Sequence, residues 1–196
     1  MVMNDVRDGV ACVKERMDAL ESARERSVIA SRSIIRKTKK AIHSIHTEEE
    51  YENILNSAMM EYNSLISSIG SEPEVLLSGP VADAMMELSE ACILSSIVLG
   101  KSIPSYLSLN VTPQSWAMGL ADCLGELRRI LLSHLMNDRI KEAKEVFDKM
   151  EIVCDSVLSF DVPDAILPIR RKQDVSRSIM ERTRSDITNA IMNARK

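Results

Sequence analysis

The sequence predicts an all-α protein: one domain, residues 1–196, folded as an antiparallel bundle of about six to seven helices. Only 6 Gly and 6 Pro occur in the 196 residues, too few for the many turns of an all-β fold. Aromatics make up 3%, and the chain carries 12 Met together with abundant Leu, Ile and Ala, the usual filling of helix–helix cores. The breakers that do occur divide the chain into about six long helical blocks. A hydrophobic share of 45% against 28% charged residues is an ordinary globular balance, and the length suits one well-packed core.

The first block runs from near the N-terminus to about residue 46, with neither Gly nor Pro after Gly9. A second covers 48–69, after which Gly70, Pro73, Gly79 and Pro80 cluster. The third covers 81–99 and stops at Gly100. Residues 101–112 form a loop whose Tyr106-Leu-Ser-Leu109 suits locally extended backbone. Thr112-Pro113 is a helix entry, an N-cap hydroxyl followed by proline at the first helical position, and the fourth helix continues to about 136. A fifth spans 138–159, residues 161–168 break the chain, and the last helix covers 173–195. No internal repeat or low-complexity tract is present.

A net charge of −4 and a pI near 5.5 argue against a surface that binds nucleic acid all over, but leave room for a local basic stripe. Cys12, Cys92, Cys123 and Cys154 are scattered singly, without Cys-x-x-Cys or clustered His, which speaks against a structural zinc site or a disulfide scaffold. Asp5, Arg7, Asp8, Lys14 and Glu15 stand where a signal peptide would be apolar. The longest apolar stretch, 91–99, is broken by serines and too short to cross a bilayer. A cytoplasmic protein with no membrane association is expected.

Two acidic features can carry chemistry. In the third helix Asp83, Glu87 and Glu90 share one face at i, i+4 and i+7, ahead of the nearly all-apolar run 91–99. Either this is the solvated end of the helix, or the carboxylates are buried and must be paired, protonated or bound to a cation. In the fourth helix Asp122 and Glu126 point the same way, opposite Leu120, Leu124, Leu127 and Leu131. Periodicity alone makes them a solvated face with Arg129 as a salt-bridge neighbour. Gly119 and Gly125 are odd on such a face, since each costs about 1 kcal/mol against Ala in a helix; an approaching backbone or ligand would explain them. Two carboxylates from each of two neighbouring helices can build an all-oxygen cage for Mg²⁺ or Mn²⁺. No Glu-x-x-His is present, against a ferritin-like di-iron bundle. Oxygen ligation suits phosphate chemistry.

A basic feature closes the first helix. Arg32, Arg36, Lys39, Lys40, His43 and His46 fall within about one third of the wheel, opposite Ile34, Ala41 and Ile45. A solvated polar face and a phosphate-binding stripe both account for it; without interleaved aromatics, contacts would go to backbone phosphates and not to bases. His43 and His46 read as ordinary helix-surface residues. Arg170, Arg171 and Lys172, with Arg177, Glu181 and Arg184, read as i, i+3 and i, i+4 salt-bridge formers, and Val175, Ile179, Ile187 and Ile191 as core or subunit interface.

Gly119-Leu-Ala-Asp-Cys-Leu-Gly-Glu-Leu-Arg-Arg129 resembles the most recognisable segment of the translin family. Ser31-Arg-x-Ile-Ile-Arg36 and Ala41-Ile-His-Ser-Ile-His46 are similar to that family's first helix. Phe160-Asp-Val-Pro-Asp-Ala165, Arg170-Arg-Lys172 and Asp174-Val-x-Arg177 resemble the C-terminal region of archaeal and bacterial-type members. The segments lie in order over nearly the whole chain. Within the family, catalytic Trax (translin-associated factor X) subunits carry Glu-x-x-Glu-Ala on one helix and Asp-x-x-x-Glu on the next, matched here by Glu87, Glu90, Asp122 and Glu126. Non-catalytic translin subunits carry Arg/His-rich nucleic-acid contacts just upstream, and here residues 75–81 hold no basic residue.

The resemblance implies a translin-like fold assembling into a hollow homo-oligomeric shell, an octamer in that family, with acidic sites facing inward and RNA enclosed. It implies a Mg²⁺- or Mn²⁺-dependent endoribonuclease acting on single-stranded or small processed RNA. Glu87, Glu90, Asp122 and Glu126 would be catalytic metal ligands, and Arg32, Arg36, Lys39 and Lys40 the candidate RNA-binding residues. Single-stranded DNA and a translin-like second subunit are further partners to consider. Two alternatives stay open: a non-catalytic translin-like shell that binds RNA or single-stranded DNA, and an all-α nucleotide pyrophosphohydrolase of the MazG kind, whose Glu-x-x-Asp the Asp-x-x-x-Glu spacing does not match.

Overall fold

The computed structural model describes residues 2–70 and 72–194. Among them the chain forms eight helices: α1 (Val2–His46), α2 (Glu52–Ile69), α3 (Pro73–Leu76), α4 (Gly79–Val98), α5 (Tyr106–Leu109), α6 (Pro113–Met136), α7 (Ile140–Leu158) and α8 (Arg170–Asn193). Six are long, as the breakers predict; α3 and α5 are single turns. Arg195, placed by the sequence in the last helix, lies outside the described residues.

The long helices pack in the order α2, α1, α4, α6, with α7 and α8 closing the far side against α6 and against each other. The innermost helix is α4, with Val81, Ala84, Met85, Leu88, Ala91, Ile93 and Leu94 all buried. That is the fate expected of a helix apolar nearly all round. In α6 the predicted core face is the observed one: Leu120, Leu124, Leu127 and Leu131 are buried. Helix α1 buries positions 23, 27, 31, 34, 38, 41, 42, 44 and 45, many of them Ala, Ser or Thr, which lets its backbone lie close to α2 and α4. Its residues 5–19 are exposed on every side. At 1.5 Å per residue α1 is about 67 Å long, and this first third carries Val6, Val10, Val13 and Met17 in solvent.

The helix ends explain where boundaries shift from expectation. Glu48 takes a left-handed φ of 56°, and Glu49 N–H bonds to Ser44 O at 2.9 Å, so α1 ends in a Schellman turn and α2 begins only at Glu52. Asp138 (φ 56°) does the same after α6, with Arg139 N–H on His134 O at 2.9 Å. Gly100 (φ 63°) ends α4 by the same device, with Lys101 N–H on Ser96 O.

The stretch 106–109 is helical, not extended. The Ser105 hydroxyl accepts from Ser108 N–H and caps the turn. The loop around it is pinned by Tyr62 Oη donating to Asn110 O at 2.5 Å and Trp116 Nε1 donating to Pro104 O at 2.9 Å. At α6 the Thr112 hydroxyl accepts from Ser115 N–H at 3.1 Å with Pro113 behind it, the predicted entry. No helix among the described residues is long and apolar enough to cross a membrane.

Candidate functional site

The crossing of α4 and α6 builds the site. A Cβ added to Gly119 would lie 2.7 Å from Met86 O and 2.9 Å from Glu90 N, so the two backbones touch where only glycine fits. One turn on, Cys123 Sγ donates to Glu90 O at 3.3 Å. The approach puts the acidic edges of the two helices side by side. Gly125 has open space around it, so among the described residues no backbone approaches there.

Glu87 and Glu90 from α4, and Asp122 and Glu126 from α6, line one open cleft of about 460 Å³, together with Lys39, Ile42 and Arg129. All four predicted acids therefore meet. Asp83 does not join them: it is exposed and does not line the cleft. Glu90 lies deepest, 8% exposed. Burial, reinforced by Asp122, Glu87 and Glu126 and opposed by Lys172, pushes its carboxyl up to about 8.

The other three acids are each paired with a nitrogen side chain from another helix, two from α1 and one from α8. His46 Nε2 is hydrogen-bonded to Glu126 Oε2; that bond, against the cost of burial and with help from Arg129, holds Glu126 below the usual carboxylate range. Lys39 Nζ lies 3.4 Å from Glu87. Lys172 Nζ is bonded to Asp122. Helix α8, which brings Lys172, is fixed by Gln173 Nε2 donating to Val157 O (3.1 Å) and Phe160 O (2.8 Å). Arg128 secures it further along, donating to Thr183 Oγ1 and Asp186.

His46 and Lys172 are the site residues that sequence reasoning missed. His46 is not a surface residue: its side chain is 5% exposed. The available signal was its place one turn beyond Ile42, on the border between the apolar and basic faces of α1. Lys172 had no such signal, since its partner is 50 positions away. The expected pairings on α8 also differ. Arg177 pairs with Asp174 at 2.8 Å, and Arg184 reaches across to Glu151 on α7 at 2.7 Å in preference to Glu181. Ile187 is buried, Ile179 and Ile191 half-buried, and Val175 exposed.

Of the basic stripe, Arg32, Arg36, Lys39, Lys40 and His43 are exposed. The stripe leads along α1 to the cleft, and Lys39 belongs to both.

The donor set fits a hard divalent cation: four carboxylates, no sulfur, and one acid buried among the others, which a cation would neutralise. Among the described residues no three His, Cys, Asp or Glu side chains form a metal-ligating group; three of the acids are turned to His46, Lys39 and Lys172 instead.

Fold and cleft together define a helical-bundle protein whose central helix pair carries a carboxylate cluster beside a cationic helix face. No family model matches the chain. An uncharacterised protein of Methanocaldococcus jannaschii is 33% identical over 177 residues, covering 88% of this chain and 78% of that protein. Among solved structures, AfC3PO in complex with duplex RNA matches with a TM-score of 0.88 at 30% identity, over 94% of this chain and 97% of that one. A second crystal structure of AfC3PO matches at 0.87 and 30%, over 95% and 99%. Apo-NeC3PO matches at 0.83 and 21%, over 92% and 96%, a likeness of fold. The chain belongs to the C3PO, or translin, family.

Proposed function

We propose that this protein is a Trax-type subunit: a Mg²⁺- or Mn²⁺-dependent endoribonuclease that cuts single-stranded or small processed RNA inside an oligomeric shell in the cytoplasm. The observation that carries the proposal is the convergence of Glu87, Glu90, Asp122 and Glu126 on one cleft rimmed by Lys39 and Arg129. Four carboxylates repel a phosphate; a divalent cation held among them, with Lys39 and Arg129 at the rim, would give the phosphate a local positive centre to bind. Bound there, the cation supplies Lewis acidity toward a phosphoryl oxygen and lowers the pKa of water. The chain's own residues do the rest. The four acids would hold the cation, and Lys39 and Arg129 would orient the phosphate. Nothing in this chemistry needs a 2′-hydroxyl, so single-stranded DNA is a second candidate substrate.

RNA as the ligand is supported by the duplex RNA bound to AfC3PO and by the exposed stripe Arg32, Arg36, Lys39 and Lys40. The Trax assignment is supported by the acid set and by the lack of basic residues at 75–81. Assembly is supported by α1, whose exposed first third carries Val6, Val10, Val13 and Met17 at alternating spacings of four and three. A lone helix of that length is marginal in water and gains from a partner; an octamer of this chain, with or without a translin-like second subunit, supplies one.

The pairing of three acids with His46, Lys39 and Lys172 favours a second reading, a non-catalytic shell that binds RNA without cutting it. Incubating the protein, sized by light scattering, with labelled RNA and Mg²⁺ separates the two. The expected result is cleavage by a large closed oligomer, abolished by EDTA and by Glu126→Gln, with RNA binding and folding retained. Glu87→Gln, Glu90→Gln and Asp122→Asn behave alike and non-additively, since one site is lost each time. Wild-type cleavage by Glu126→Gln sinks the acidic site, and binding without cutting leaves the shell. Hydrolysis of free nucleoside triphosphates alone would instead mark a pyrophosphohydrolase, and a monomer at all concentrations removes the enclosed assembly.

A further inference from the structure

We propose that His46 positions the Glu126 carboxylate for the divalent cation, its Nε2–H holding one oxygen so that the other is presented to the cleft. The inference rests on the metal-binding function proposed for the cleft. An ionised carboxylate has no proton to give, so Nε2 is the donor. The imidazole is 5% exposed, and a polar ring buried to that degree needs a hydrogen-bond partner; here that partner is a glutamate from the middle of α6, 80 positions away.

His46 differs from the two lysines at the cleft. Lys39 sits on a flexible stem and is 64% exposed, free to move with the charge of whatever binds. The His46 ring turns on only two torsions, and Ile42 and Ile45, buried on the preceding turn, fix the helix that carries it. A rigid, sheltered donor on one oxygen of a metal-binding carboxylate sets the direction of the other. Loss of such an outer partner commonly weakens metal affinity by about 10–100-fold. A purely structural tie between α1 and α6 is the competing explanation, and it places the whole effect on stability.

The test measures Mn²⁺ affinity of the intact oligomer by calorimetry or electron paramagnetic resonance, and melting of the metal-free protein, for two variants. His46→Leu fills the space without a donor; His46→Gln restores an N–H at similar reach. The expected result is that His46→Leu raises the Mn²⁺ Kd at least about tenfold, while His46→Gln recovers most of that loss, and that melting does not track the two changes. Should His46→Leu fail to fold, His46→Asn, whose amide is too short to reach Glu126, takes its place under the same criteria. Wild-type Mn²⁺ affinity in the donor-less variant overturns the inference. So does equal weakening in His46→Gln with a parallel loss of melting temperature. A wild-type protein that binds no Mn²⁺ removes the metal site itself, a different failure from a wild type that binds while His46→Leu binds equally well.

Discussion

Lys172, in the first turn of α8, is bonded through its ammonium to the carboxylate of Asp122 on α6, so α8 sets a positive charge on one of the four acids of the cleft. The same ammonium is the cation that opposes the upward push that burial and the neighbouring acids exert on Glu90. A divalent cation drawn to the four carboxylates meets a positive charge already on one of them, and like charges at such range repel.

Lys172→Met should therefore tighten Mn²⁺ binding by severalfold, in the opposite direction from the loss expected for His46→Leu. Titration of the variant with Mn²⁺ checks it. Binding equal to or weaker than wild type would show that the lysine does not compete, and would leave it a counter-ion to Asp122 alone.

Glu90 makes the metal-free fold sensitive to pH. Its carboxyl titrates near 8 in the folded chain against an ordinary 4.5, so between those values the unfolded chain is ionised where the folded chain still holds a proton. Unfolding then releases that proton, and stability falls as pH rises from about 4.5 to about 8, by on the order of 5 kcal/mol, and levels off above. Glu90→Gln should flatten that decline and be the more stable protein at pH 8 when EDTA is present. Denaturant melts at pH 5, 6.5 and 8 measure it; parallel pH curves for the two proteins would contradict a buried, protonated Glu90.

The two helical glycines of α6 should respond oppositely to alanine. At Gly119 the new Cβ would meet Met86 O at 2.7 Å, and forcing α4 away costs about 1–3 kcal/mol, more than the roughly 1 kcal/mol of helix propensity gained. At Gly125 the space is open, and Gly125→Ala should stabilise by about 0.5–1 kcal/mol. Thermal melts of the two variants decide it, and destabilisation by both would point to a neighbour at Gly125, such as a second subunit.

That contrast also shows what a sequence can reveal. Two glycines on one polar face are equivalent in the sequence; only the path of α4 separates them. The long helices are legible because their apolar periodicity and their breakers are local. Gly100 announces one Schellman turn, but Glu48 and Asp138 make the same turn with side chains that carry no such signal. The residues of 106–109 suit extended backbone, and the capping hydroxyl of Ser105 outweighs that preference. The four acids are legible by spacing within two helices. Their partners are not: which cation faces which acid depends on α1 and α8 meeting α4 and α6, and those residues stand far apart in the chain.

The basic face of α1 should supply most of the affinity for RNA. With a net charge of −4 attraction cannot come from the protein as a whole, and Arg32, Arg36, Lys39 and Lys40 are exposed in one row that ends at the cleft. Few aromatics are available to stack on bases, so binding should rest on phosphate contacts and counterion release. Replacing Arg36 and Lys40 with Gln should weaken binding about equally for all RNA sequences. It should also flatten the plot of log affinity against log salt, by up to roughly one unit for each phosphate no longer neutralised. Against the cost of burial, Glu61 is held below the usual carboxylate range by its bonds from Lys37 and Ser33, with Arg36 adding to them, so the variant's folding and oligomeric state are verified first. If the oligomer is intact and the slope unchanged, the stripe faces solvent or a neighbouring subunit, and RNA is held by other residues.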